Sequence, residues 1–245
     1  MRYVHYWDAV HERISLVSAH ASGEMPPQGT DLWSGGQPTR EDDSSFENDL
    51  AVTRASIAAA MEVYARKQPF LLMLDFQLHS LRDRRRRQRI VALFAEISPM
   101  VKPYIVVRVV GLPPGTPSSA IIDAVSFTRS LSPHVCLVGS RALMEHEGLS
   151  GCGGVAISLA IEQLTREAAE TGRSKTDLPQ WLKAARAASN LVMVEDVTRL
   201  DQLEACIAQG VRFLAGDAIM PESQSLSGPI AISRRAILSA VALVD

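Results

Sequence analysis

An eight-stranded α/β barrel is the fold class this sequence predicts, and three observations predict it. Eight short apolar runs with strand character lie along the 245 residues. From residue 70 onward these runs alternate with stretches whose apolar residues recur at helical spacing, as in strands joined by helical crossovers. The motifs of the alternative, a doubly wound open sheet, are missing: no GxGxxG follows a strand and GxxxxGK[ST] occurs nowhere. Eight strands in this length suit a closed barrel better than an open sheet, and no repeat of fixed period runs through the chain.

Residues 2–7 and 14–20 are the first two strand candidates, with a turn across 8–13. Residues 23–43 are rich in Gly, Pro, Ser and Asp and read as a surface loop. Ser44 or Ser45 is expected to cap a helix carrying Phe46, Leu50, Ile57, Met61 and Tyr64, which Gln68-Pro69 ends. Residues 70–74 are continuously apolar, the mark of a strand buried on both faces, and helix follows over 81–97. Strand 104–110 ends in the Gly/Pro-rich 111–115, and helix 117–131 leads to strand 135–138. Glycines 151, 153 and 154 could cradle a phosphate, but without a following helix and Lys they read as a tight turn before strand 155–159. Helical stretches flank a break at 171–177, and strand 191–194 follows. Helix 200–209 stops at Gly210, strand 211–214 is the last, and a final helix is expected over 230–243.

With 47% hydrophobic and 21% charged residues, a chain of this size can bury a core that needs neither disulfide nor structural metal. The net charge of −2 gives no global attraction to nucleic acid or anionic lipid. Three cysteines without CxxC spacing suit a reducing cytosol, so a cytoplasmic location is expected. Cys136 and Cys206 lie in apolar stretches and read as core residues, whereas Cys152 falls in a loop and could be exposed. No apolar run approaches the ~18 residues of a membrane span. A strand-like opening with no leader-like segment is the expected start of a complete domain over 1–245, one that a longer protein could carry.

Residues 191–203, LVMVEDVTRLDQL, resemble the stretch written VVAEGVETxxQL in bacterial EAL domains. Residues 210–216, GVRFLAG, are similar to that family's G(C/V)DxxQG, and Pro221 falls where its late proline lies. In outline, residues 73–81 match VNLSxxxL, 106–110 the LEITE strand, 136–141 the DDFG turn and 155–158 VKID. The resemblance covers nearly the whole chain and implies an EAL-type barrel whose first strand runs antiparallel. It also implies two divalent cations held by carboxylates and an Asn at strand ends, hydrolysing cyclic di-GMP with help from a Lys. Two close cations generate hydroxide and neutralise phosphate, and several carboxylates are needed to hold them.

This sequence departs from that set almost everywhere. The Glu-Ala-Leu signature falls at Val17-Ser18-Ala19, the Asn position is Asp75, and the strand-four Glu is Arg108. The paired Asp positions are Val138 and Gly139, and the Lys and Asp of VKID are Ala156 and Ser158. Glu195 alone is intact, and the next acid of its motif is Thr198. So few carboxylates cannot hold two hard cations, and no catalytic residue, metal or cofactor is expected.

Asp75, Arg108 and Glu195 are the candidate ligand-binding remnants. Glu195 is either a remaining ligand contact or a relic carboxylate paired with a nearby Arg. Arg108, within an apolar strand, either points inward to pair with Asp75 or Glu195 or faces an outer helix and water. The arginine-rich run 82–89 could meet nucleic acid or phosphate, but with no interleaved aromatics it reads as a solvated helix face or partner contact. His79, His134 and His146 have no metal-ligand spacing, and Trp7, Trp33 and Trp181 are scattered. The expected function is a non-catalytic regulatory or scaffolding domain of bacterial signalling, with protein partners or self-association. A cyclic di-GMP receptor and a barrel enzyme of unrelated chemistry are the alternatives; neither nucleic acid nor membrane contact is expected.

Overall fold

A computed structural model describes residues 1–20, 40–113, 115–140, 143, 152–170 and 178–241. β1 (Arg2–Asp8) and β2 (Arg13–His20) form an antiparallel hairpin. From β2 the sheet continues in parallel through β3 (Leu71–Gln77), β4 (Ile105–Val110), β5 (His134–Val138), β6 (Ala156–Ala160), β7 (Val192–Glu195) and β8 (Phe213–Leu214). β8 pairs antiparallel with β1 and closes the ring, so the first strand opposes both its neighbours as expected. A ninth short strand, β9 (Ile230–Ala231), adds antiparallel to the start of β2.

Eight α-helices have both ends within the described residues, and a short 3-10 helix (Lys102–Tyr104) precedes β4. The α-helices are α1 (Arg40–Ala65), α2 (Leu78–Arg82), α3 (Arg84–Ala95), α4 (Ser118–Leu131), α5 (Ile161–Glu170), α6 (Leu178–Ala188), α7 (Leu200–Ala208) and α8 (Arg234–Val241). Alternate strand residues face opposite sides of the sheet and build two cores. Leu72, Leu74, Val107, Val109, Val192 and Val194 pack outward with helix residues such as Ile90, Leu93 and Leu203. Tyr6, Leu16, Met73, Val106, Cys136, Ala156, Met193 and Phe213 fill the lumen. The barrel is therefore a packed core whose open chemistry is confined to the strand ends.

Several element boundaries differ from the periodic reading. α1 begins at Arg40, ahead of Ser44 and Ser45, because apolar spacing marks core-facing positions such as Phe46 and Leu50, not where the backbone begins to coil. Residues 40–43 are therefore helix, while 23–39 of the expected loop lie outside the described residues. The helix expected over 81–97 is two helices: Asp83 leaves helical geometry (φ −79°, ψ 125°), and its carboxylate accepts from the Arg86 N–H at 2.8 Å. The final helix starts at Arg234, where Ser233 Oγ accepts from Ala236 N at 3.2 Å, and Ile230–Ala231 is strand. Gly153 and Gly154 turn with positive φ (36° and 67°) ahead of β6, whereas Gly151, His146 and the break at 171–177 lie outside the described residues.

Cys136 and Cys206 are core residues, but Cys152 is buried too, at 2% exposure, packed in the outer core. The arginine run is not a uniform solvated face. Arg86 is buried with its guanidinium 5.3 Å from the Phe46 ring, Arg87 lies over Phe127 and bonds Asp123, and Arg89 pairs with Glu47 of α1. These arginines staple α3 to α1 and α4. Arg84 and Arg85 remain exposed.

Candidate functional site

The site lies at the carboxyl ends of the parallel strands, where barrel register brings inward-facing polar residues to one level. Asp75 of β3 stands in register with Arg108 of β4, and Arg108 with Cys136 of β5. Ser158 of β6 and Glu195 of β7 rise from the opposite side of the ring. Below them, Met73, Val106, Cys136, Ala156 and Met193 seal the lumen.

Arg108 is the hub. Its Nε donates to Asp75 Oδ1 at 2.8 Å and its Nη2 to Oδ2 at 2.7 Å, a bidentate pair. Its Nη1 donates to Glu195 Oε1 and also reaches the Tyr6 hydroxyl at 3.4 Å. The Arg108 side chain is 4% exposed, while Asp75 and Glu195 keep 22% and 18%, so water meets the carboxylates and not the guanidinium. Ser158 Oγ donates to Glu195 Oε1. On the other flank, Ser18 Oγ and His20 Nε2 are 2.8 Å apart, and His20 Nδ1 lies 3.6 Å from Asp75 Oδ2.

The charges are coupled. Burial alone pushes the Asp75 carboxyl up, but the charge and hydrogen bonds of Arg108, with a smaller share from His20, outweigh it and hold it below the usual carboxylate range. Burial acts against the Arg108 cation, yet Asp75 and Glu195 overcome it and hold its pKa well above the ordinary arginine value. The Tyr6 phenol is pushed well up, by burial first and then by Glu195. Two further carboxyls sit at the rim. Asp49 of α1 is raised to about 7 by burial and by the Asp75 charge, and Asp196 to about 6 by burial and by Glu195.

The residues after β7 are fixed by a close backbone approach. Asp196 has φ 60°, Val197 N donates to Ala215 O at 3.0 Å, and Ala218 N donates to Val197 O at 3.0 Å. A Cβ at Gly216 would stand 2.4 Å from Val197 N, so only glycine lets the β8 exit pack here and hold Glu195 at the mouth.

All three sequence candidates, Asp75, Arg108 and Glu195, are thus brought together, and Arg108 takes the inward, paired geometry. Glu195 is the carboxylate partnered by that arginine. Thr198 joins instead to Gln202, whose side chain accepts from Thr198 N at 3.0 Å and Arg199 N at 3.1 Å at the start of α7. Tyr6, His20, Asp49 and Asp196 were not legible as site residues. The spacing of Ser18 and His20, two apart at the end of one strand, was the only available signal.

A two-cation centre does not fit these residues. Both carboxylates are directed at a guanidinium, and the remaining acidic positions of the expected set are Val17, Val138, Gly139, Ser158 and Thr198. Among the described residues, no group of three or more His, Cys, Asp or Glu could hold a metal ion. No helix of the described residues is long and apolar enough to cross a membrane.

No protein-family model matches the sequence, and no curated protein does. Solved structures do match. A Bacillus subtilis protein with an EAL domain, YkuI, solved with substrate cyclic di-GMP and calcium, superposes with TM-score 0.67 at 13% identity over 99% of this chain. This chain spans 60% of the YkuI chain. The Xanthomonas citri FimX EAL domain bound to cyclic di-GMP gives TM-score 0.61 at 18% identity, covering 92% of this chain and 88% of that one. A standalone EAL protein of Vibrio cholerae in its cyclic di-GMP-bound form gives 0.64 at 14% identity, covering 94% of each chain. The closed ring, its antiparallel first strand and these superpositions agree, and the chain has the fold of the EAL domains.

Proposed function

We propose that this barrel is a non-catalytic regulatory or scaffolding module of bacterial signalling, acting in the cytoplasm through protein contacts or self-association. Residues 1–245 form one barrel domain in this reading. The observation that carries it is the Arg108 guanidinium paired with both Asp75 and Glu195, where a phosphodiesterase of this fold would need cations. A cation fixed in the protein neutralises those carboxylates but carries no water to activate. The barrel then contributes its surface and its frame, not hydrolysis.

A second reading, a receptor that binds cyclic di-GMP without hydrolysing it, is favoured by the bound nucleotide in structures of the same fold. Against it stands the charge of the mouth, where water meets Asp75 and Glu195 while Arg108 is screened from a phosphate. Titration calorimetry of the purified protein with cyclic di-GMP, with and without Mg²⁺ or Ca²⁺, separates the two. The scaffold reading expects no saturable heat at high micromolar nucleotide and no hydrolysis. Saturable binding at micromolar concentration makes the protein a receptor, and turnover in the presence of cation defeats both readings.

A further inference from the structure

We propose that residues 221–229 are an acid-released strap, closed over the outer face of β1 by the buried, neutral ring of His5 and opened when that ring takes a proton. Tyr3, His5 and Trp7 lie on the outer side of the sheet, opposite Tyr6, whose hydroxyl reaches Arg108. His5 therefore acts independently of whatever the mouth binds. The segment over it reads PESQSLSGP, with proline at both ends and no apolar period, so it stays irregular. It is fixed at its ends. Tyr3 N donates to Ser223 O at 2.8 Å and Ser223 N to Tyr3 O at 3.0 Å, while β9 pairs with β2 just beyond Pro229. Among the described residues, no backbone hydrogen bond holds 224–229 between these anchors.

His5 is 0% exposed. Ser227 Oγ, in the middle of the strap, stands 3.4 Å from its Nε2, and Nδ1 has no hydrogen-bond partner among the described residues. A neutral imidazole carries one donor and one acceptor, but the cation carries two donors and needs two acceptors. No carboxylate is placed to supply one. On β1, Asp8 is committed to His11 and Arg212, and on the strap Glu222 meets Arg2 at the surface. β2 faces His5 with Val17, its buried Ser15 is uncharged, and Arg13 at its start is exposed. α1 meets the start of β1 through Ser56 and Met1, and its Arg54 and Glu62 are exposed, as are Arg234 and Arg235 of α8. Burial accordingly holds the His5 pKa below its ordinary value. The closed form thus binds a proton less tightly than an open one whose ring reaches water. Closure is fully stable above 6.5 and weakens as the pH falls below it, towards the lowered pKa of the closed form. The barrel then presents a different outer face in acid than at neutral pH.

The test is NMR of the purified protein from about pH 7.5 to about pH 5.5, following the His5 ring and amide hydrogen exchange corrected for its intrinsic pH dependence. Strap opening is expected to rise about tenfold over this range, the factor set by a ring that takes its proton freely once open. It is read at the Tyr3 and Ser223 amides, whose mutual hydrogen bonds must break, while the amides of β4 keep their rates. His5→Gln carries no charge at either pH and should lose the acid response. If His5→Gln does not fold, the wild type alone decides: its ring must stay neutral below the ordinary histidine value while the strap amides speed up. A ring that titrates at that ordinary value with the strap still protected overturns the proposal. So does an acid response that survives in His5→Gln, or one shared equally by β4, which would be unfolding of the whole barrel. Binding of cyclic di-GMP by the wild type would defeat the scaffold reading and leave this one standing, since His5 lies outside the mouth.

Discussion

Arg108 shows how a buried charge is tolerated when its geometry is satisfied. At 3% exposure it would be costly alone, but Asp75 meets it through two hydrogen bonds and Glu195 through a third. Such a cluster is asymmetric in its energetics: removing one partner leaves an uncompensated charge, whereas replacing all partners with packed apolar groups is nearly neutral. Asp75→Asn is therefore expected to destabilise the fold by about 3 kcal/mol in urea titration. Replacing Asp75, Arg108 and Glu195 together by Leu, Met and Leu should recover most of that loss. A measured loss below about 1 kcal/mol for Asp75→Asn would mean that the cluster is hydrated and weak. The candidate residues themselves were legible as types. Asp75 and Glu195 end apolar strand runs, and Arg108 interrupts one, so each stood out in the sequence as an ionisable group where apolar residues were due.

Among the elements, the strands were the most legible because runs buried on both faces carry an unbroken apolar signal; β4 is buried at every position. Helix limits were less so, since they depend on caps that apolar spacing does not report. The break between α2 and α3 rests on Asp83, whose carboxylate bonds Arg86 N, inside a run that reads as arginines first and a cap second. Asp83→Ala should cost about 1 kcal/mol of stability and, in hydrogen exchange, speed the first-turn amides of α3 more than those of α4. Equal exchange in both helices would show that packing, not the cap, sets this boundary. β9 escaped notice for a related reason. Two residues pairing with Arg13 and Ile14 have no period of their own.

In the whole molecule, charges from separate elements meet. Asp49 of α1 faces the charge of Asp75 on β3 and of the buried Arg86 on α3, and its carboxyl is raised to about 7, with burial the largest cause. A carboxyl raised in the native state binds its proton more tightly there than in the unfolded chain. Its contribution is full below the ordinary value of 3.8 and is lost as the pH rises through about 7. Asp49→Asn should therefore leave stability unchanged near pH 4 and raise it at pH 8, by on the order of 2 kcal/mol after allowing for the partial exposure of this group. Urea midpoints at the two pH values check this, and an equal shift at both would show that charge is not the cause. The sequence by itself determined the alternation of strands and helices, the barrel class, and which positions carry carboxylates at strand ends. It could not determine where Arg108 points, because a strand apolar on both faces reveals the alternation of its side chains but not which set enters the lumen. Nor could it bring Glu195 to Arg108, 87 positions away, since that distance is set by closure of the ring and the stagger of its strands. Only the tertiary structure decided that the guanidinium lies between the two carboxylates.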